Sequence, residues 1–190
     1  MRLAAVGDNC IDSYKELGKS FAGGNSVNVA VYFVRLGEAS SYIGAVGTDC
    51  NGKLMLNAIR EKQVDASHVQ VLPGKTAVTE IKLVNGDRKF LSYDEGVLAD
   101  YRLTAEDINF LCKHDIVVTS VNGNVEYYLP IIKGRNVPIA YDCSTQYKDE
   151  ASQKAIPYVD YLFGSADADT PKLRQLMKNL KSKGPKIVIY

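Results

Sequence analysis

Apolar and polar positions along the chain follow two periods. Short apolar runs at residues 3–6, 41–46, 116–119, 137–141, 158–163 and 186–190 read as strands, and helical spacing falls between most of them. Val27, Ala30, Val31 and Val34 recur at i, i+3, i+4 and i+7, and Gly37 ends that helix. Met55, Ala58 and Ile59 mark a second helix that stops before Val64-Asp65. Thr104 with Asp107 three residues on predicts a capping box, with Ile108, Leu111 and Cys112 as the apolar stripe behind it. Thr170 is placed to cap a helix that has Pro171 in its first turn. Leu173, Leu176, Met177 and Leu180 form its buried face, and Gly184-Pro185 stops it. Strand and helix in alternation predict an α/β chain: a mostly parallel sheet with helices on both faces.

One segment breaks the alternation. Residues 76–84 and 89–93 are both strand-like, and Asn85-Gly86-Asp87-Arg88 between them is a hairpin turn signal. This hairpin reads as a flap beside the parallel sheet, an inserted β lid over residues 75–94; the other reading is an antiparallel edge of the main sheet. The last run, Ile187-Val188-Ile189-Tyr190, has the character of a buried strand. A parallel strand needs covering helices, so the chain is expected to be the first two-thirds of a larger domain, or to leave that strand exposed or paired with another chain.

Composition narrows the function classes. Of 190 residues 46% are hydrophobic and 24% charged, ordinary for a folded domain and unlike a disordered or low-complexity chain. A net charge of +1 gives no electrostatic footprint for nucleic acid or an anionic membrane, so neither is expected as a partner. No run approaches a membrane span, and the N-terminus meets Arg2 and Asp8 too early for a signal peptide. The cysteines Cys10, Cys50, Cys112 and Cys143 lie far apart, which favours small buried thiols in a reduced, cytoplasmic protein over a disulfide framework. His68 and His114 read as loop residues without a role.

Several motifs bear on chemistry. Gly47-Thr48-Asp49-Cys50-Asn51-Gly52-Lys53-Leu54 imitates a phosphate-binding P-loop, but Leu54 has no oxygen for Mg²⁺ where a P-loop needs Ser or Thr. Gly23-Gly24-Asn25-Ser26-Val27-Asn28 opens the first strong helix. Its glycines permit close backbone approach, and Asn25 and Asn28 stand three apart, on one side of the helix. Paired amides suit a polyol ligand. Taken alone, Asn25 reads first as a helix N-cap. Asn28, flanked by Val27 and Val29, is expected to be buried and in need of a partner. Asp8 and Asp12 follow the first strand, where open α/β sheets bind ligands; each is either a sugar-hydroxyl acceptor or an ordinary turn or surface acid.

These pieces together resemble the ribokinase-like (phosphofructokinase-B type) carbohydrate kinase family. The resemblance is carried by Val6-Gly7-Asp8 with Asp12, by Gly23-Gly24-Asn25-Ser26-Val27-Asn28-Val29-Ala30 running to Arg35-Leu36-Gly37, by Gly44-Ala45-Val46-Gly47-Thr48-Asp49 with Gly52, and by the flap. Gly7-Asp8-Asn9-Cys10, residues 26–32 and Glu95-Gly96-Val97-Leu98-Ala99-Asp100 resemble in particular the branch acting on fructosamine-type sugars. The resemblance implies transfer of phosphate from ATP, with Mg²⁺, to a sugar hydroxyl. It makes Asp12, Gly24, Asn25 and Asn28 substrate-binding residues and gives Asn122 a sugar contact. It makes the flap a lid that excludes water and that serves to pair two subunits. Asp142 falls near the phosphates and metal.

Departures are as informative. Where the family carries Asn-x-x-Glu, this chain has Ser165 and Ala168, with Asp167 and Asp169 as substitutes for organising Mg²⁺. The family's Gly-Ala-Gly-Asp motif, whose Asp takes the hydroxyl proton, does not occur within these residues. No catalytic residue is therefore assigned, and the 190 residues by themselves are expected to hold half a substrate site and little catalytic power. The open alternatives are another hexose or nucleoside kinase on the same scaffold, and a sugar-binding protein derived from a kinase.

Overall fold

A computed structural model describes residues 1–190. Seven strands form the main sheet: β1 (Arg2–Val6), β4 (Ala39–Gly47), β5 (Val69–Leu72), β8 (Ile116–Ser120), β9 (Ile139–Asp142), β10 (Tyr161–Phe163) and β11 (Ile187–Ile189). Their order is β11-β10-β9-β8-β1-β4-β5, and every neighbouring pair is parallel. Side-chain alternation divides the core in two. Leu3 and Ala5 of β1 join Val27 and Ala30 of α1 (Asn25–Arg35) and Met55 and Ile59 of α2 (Cys50–Glu61). Ala4 and Val6 join the opposite cluster. There they meet Leu111 of α3 (Ala105–Leu111), Leu129 and Ile132 of α4 (Leu129–Gly134), Ala155 of α5 (Glu150–Ala155) and Leu180 of α6 (Pro171–Lys181). The sheet is thus covered on both faces, as its parallel strands require.

Local signals place the helix ends. Thr104 Oγ1 accepts from Asp107 N while Asp107 accepts from Thr104 N, so the capping box forms as read. Thr170 Oγ1 caps α6 through Leu173 N. The P-loop imitation becomes a cap of another kind. Asp49 accepts from Gly52 N at the start of α2 and from both Thr76 N and Thr76 Oγ1, and these bonds, against the opposing effect of burial, hold its carboxyl below the usual range. β11 is the sheet edge, with Ile187 and Ile189 exposed.

The hairpin stands apart from the main sheet. β6 (Val78–Val84) and β7 (Asp87–Asp94) pair antiparallel around Asn85 and Gly86, whose φ angles of 53° and 86° suit the tight hairpin turn. The lid is larger than the sequence reading makes it. β2 (Cys10–Tyr14) and β3 (Lys19–Gly23) complete a second sheet in the order β3-β2-β6-β7. Asp49, bound to Thr76, anchors the lid's base to α2. No helix is long and apolar enough to cross a membrane, and all four cysteines are free.

Candidate functional site

The chain leaves β1, passes through β2, β3 and α1, and enters β4 on one side of β1; later it returns to β8 on the other side. The carboxyl ends of β1 and β8 therefore diverge at a topological switch point, where open α/β sheets form their ligand crevice. The loops after β1, β8 and β9 and the N-terminus of α1 meet here.

Asp8 organises the meeting. Its carboxylate accepts from Asn25 N at 2.6 Å, Ser26 N at 3.3 Å and Ser120 Oγ at 2.9 Å. The Ser26 hydroxyl lies 2.9 Å from Asp8 Oδ1 and 3.0 Å from the Val6 carbonyl, its one proton available to either. Asp8 is thus a remote cap: a carboxylate that satisfies orphan amides of α1 from another strand and carries negative charge to the helix's positive end. The N-cap position itself is Gly24, with φ 103°, and Asn25 is the first helical residue, so Asn25 does not cap the helix. A Cβ on Gly24 would stand 2.5 Å from Asn9 Cα, so only glycine lets the two loops touch. Asn9, fully buried, holds the loop after β1 by donating to Tyr42 Oη and to the Ala45 carbonyl.

Freed from capping, the Asn25 side chain reaches across the crevice. Its Nδ2 donates to Asp142 Oδ2 at 2.7 Å, while Asp142 Oδ1 accepts from Ser144 N at 2.8 Å. Ser165 adjoins through its own amide on the Ser144 carbonyl and is exposed. Asp169 is committed elsewhere: Arg174 grips both its oxygens and holds its carboxyl below the usual range. No group of three His, Cys, Asp or Glu side chains converges anywhere in the chain. An all-protein metal cage is absent, but Mg²⁺ is ordinarily held by one or two carboxylates, substrate phosphates and waters, and Asp142 fits that lesser part.

Beside Asp8 lies a cavity of about 670 Å³ between the sheet's end and the lid. Asp8, Asn9, Cys10, Asn122 and Ser144 line its floor, and Thr79, Phe90, Leu91, Ser92 and Tyr93 close it from the lid. Asp12 joins this wall through Cys10, whose thiol donates to Asp12 Oδ1 at 3.3 Å. Burial, aided by the carboxylates of Asp12 and Asp8, pushes the Cys10 thiol up to about 12, so it stays neutral. The Asp12 carboxylate also lies over Gly23, where a Cβ would come within 2.8 Å of Oδ2.

The structure therefore brings Asp8, Gly24, Asn25, Asn122 and Asp142 to one crevice, with Asp12 at its lid side and Ser165 at its far end. Asn28 differs. It is exposed, against the burial expected from its valine neighbours, and needs no internal partner. With Asn25, Val29 and Tyr32 it lines a separate shallow groove on α1. Sequence reasoning missed Asn9, Ser26, Ser120 and Thr79. Asn9 and Ser26 stand inside motifs already singled out; Ser120 and Thr79 carry no local signal.

Comparison with known proteins bears on this arrangement. A model of the pfkB family of carbohydrate kinases matches residues 10–189. The chain is 38% identical over 187 residues to a fructoselysine 6-kinase of Escherichia coli (strain K12), covering 98% of this chain and 72% of that protein. It is 36% identical over 193 residues to fructosamine kinase FrlD of Bacillus subtilis (strain 168), covering 99% and 68% respectively. Among solved structures, Arabidopsis thaliana ribokinase complexed with ribose and ATP superposes with a TM-score of 0.82 at 16% identity, covering 99% of this chain and 71% of that one. The fructokinase of Halothermothrix orenii gives 0.78 at 16% identity, over 100% and 79%. At such identity the two structures speak to the fold alone.

Proposed function

The chain belongs to the pfkB family of carbohydrate kinases, phosphotransferases that act on sugars, and from that premise we propose that it serves the ATP-dependent phosphorylation of the 6-hydroxyl of a fructosamine-type sugar such as fructoselysine. The observation that carries this reading is the lid-covered cavity at the β1/β8 switch point, walled by Asp8, Asn122 and the lid residues. Similarity to fructosamine kinases over nearly the whole chain supports this choice of acceptor.

In this reading the sugar lies under the lid. The Asp8 oxygen facing Asn25, the Asp12 carboxylate and the Asn122 amide take its hydroxyls, with Gly24 giving the backbone room to approach. Carboxylates and amides accept and donate in the patterns a polyol presents. Phe90, Leu91 and Tyr93 cover the sugar and keep water from competing for the phosphate. ATP approaches from the side of Asp142 and Ser165. Mg²⁺ brought with the nucleotide would be supported by Asp142 and would neutralise charge on the transferring phosphate. Asn25 links the two halves by holding Asp142 in place. These residues bind and position; none of them is assigned the proton of the attacking hydroxyl.

The lid's uncovered side chains support a further part of the proposal. Leu17, Phe21, Leu83 and Val84 are exposed on the lid, and pairing of two lids would bury them. Light scattering after size exclusion tests this with Phe21→Ser, which should shift a dimer toward monomer.

Calorimetry with a panel of fructoselysine, fructose, ribose and adenosine tests the acceptor. Fructoselysine should bind tightest. Preferential binding of the nucleoside, or of none of the sugars, would contradict the reading.

A further inference from the structure

A second cavity has a volume of about 470 Å³. The two are lined by different residues of the same two segments: Tyr93 and Asn122 line the sugar cavity, and Glu95 and Asn124, each two residues further along, line the second. Asn124 has φ 53° and donates through Nδ2 to Glu95 Oε1 at 2.8 Å, so the loop after β8 is fastened to the segment leaving the lid. Its chemistry differs from that of the sugar cavity. Glu95 and Glu126 face it, and neither is paired with a basic side chain. Arg102 faces it with its guanidinium fixed, Nη1 donating to the Ala99 and Tyr101 carbonyls at 3.2 and 2.6 Å, which leaves the Nε–Nη2 edge for a ligand. Tyr127 and Tyr128 supply aromatic surface, and Lys154 lies over the Tyr127 ring and donates to its hydroxyl, holding it in place.

We propose that this cavity is the subsite for the amino-acid part of the substrate: a zwitterion whose carboxylate takes the free edge of Arg102 and whose ammonium takes Glu126 and Glu95. A guanidinium edge matches a carboxylate with two parallel hydrogen bonds, and unpaired carboxylates favour an ammonium. The tyrosine rings cover the aliphatic stem between the two charged ends and the sugar. The inference rests on the fructosamine reading of the neighbouring cavity and adds what selects the amine-linked group. A bare hexose would leave this cavity filled with water.

The test compares two ligands by calorimetry: fructoselysine, and the butylamine conjugate of fructose, which keeps the sugar, the amine and the stem but lacks the zwitterion. The wild-type chain should bind fructoselysine tighter by about ten-fold or more. Arg102→Leu and Glu126→Gln should each bring fructoselysine down toward the conjugate and leave the conjugate's affinity unchanged. Equal affinity for both ligands in the wild type, or variants that keep the full preference, would overturn the subsite while leaving the sugar reading intact. Binding of neither ligand would overturn the sugar reading and the subsite with it. Circular dichroism confirms that the variants fold, which their partly exposed positions favour.

Discussion

Asn25 Nδ2 and Asp142 Oδ2 are 2.7 Å apart, and this contact between residues 117 positions apart joins the first turn of α1 to the end of β9. It is available because Asp8 caps the helix, so Asn25 is spared that task. Asn25→Ala should therefore cost only modest stability, about 1.5 kcal/mol for one partly buried hydrogen bond to a carboxylate. It should weaken sugar binding by about ten-fold and also lower affinity for an ATP analogue with Mg²⁺. Chemical denaturation and calorimetry together separate the two effects.

Asp8 is expected to behave in the opposite proportion. Its carboxylate holds two helix amides and the Ser120 hydroxyl in a buried setting, so Asp8→Ala leaves several donors without a partner. A loss of about 2–3 kcal/mol is expected from the urea midpoint, together with loss of sugar binding. Asp8→Asn, which keeps one acceptor oxygen, should recover part of the stability.

Gly24 is the position least able to change. Its φ of 103° is one that side chains rarely adopt, and a Cβ would meet Asn9 Cα at 2.5 Å. Gly24→Ala should destabilise by about 2–4 kcal/mol, whereas Gly134→Ala, with open space around its Cβ, should be close to neutral. Thermal melts of the two variants give the comparison.

Cys10 makes stability depend on alkaline pH. Burial raises its folded-state value from 9.0 to about 12, so the folded chain prefers the neutral thiol. The unfolded chain loses that proton near 9, which makes unfolding easier as pH rises from about 9 toward 12. Between pH 8 and pH 10 the wild type should lose about 1 kcal/mol more than Cys10→Ala, measured by urea titration at each pH. The same burial should leave Cys10 slower than exposed Cys50 toward a thiol reagent.

Much of this is legible in the sequence. Alternating apolar runs and helical spacing gave six strands of the main sheet, and Asn85-Gly86 gave the hairpin, because each is a local signal in adjacent residues. β2 and β3 escaped because they lie in the solvated lid. Asp12, Ser13 and Tyr14 are only partly buried, and most of β3 is exposed, so no apolar stripe marks either strand. β5 escaped for a similar reason, as a short edge strand with Val71 exposed. In the site, Gly23-Gly24-Asn25 announced a ligand-facing helix start, but its true cap was invisible: Asp8 lies 17 residues earlier and reaches the helix only through the fold. Asn28 was misread because apolar sequence neighbours do not fix a helical face. Val27 points into the core and Asn28, one residue on, points to solvent.

The most direct test of a sugar seated beneath the lid is amide hydrogen exchange with and without saturating fructoselysine. Slower exchange confined to residues 7–12, 87–94 and 120–124 is the predicted result. Protection elsewhere, with residues 87–94 exchanging at the same rate in both samples, would show that the lid does not cover the ligand and would contradict the account.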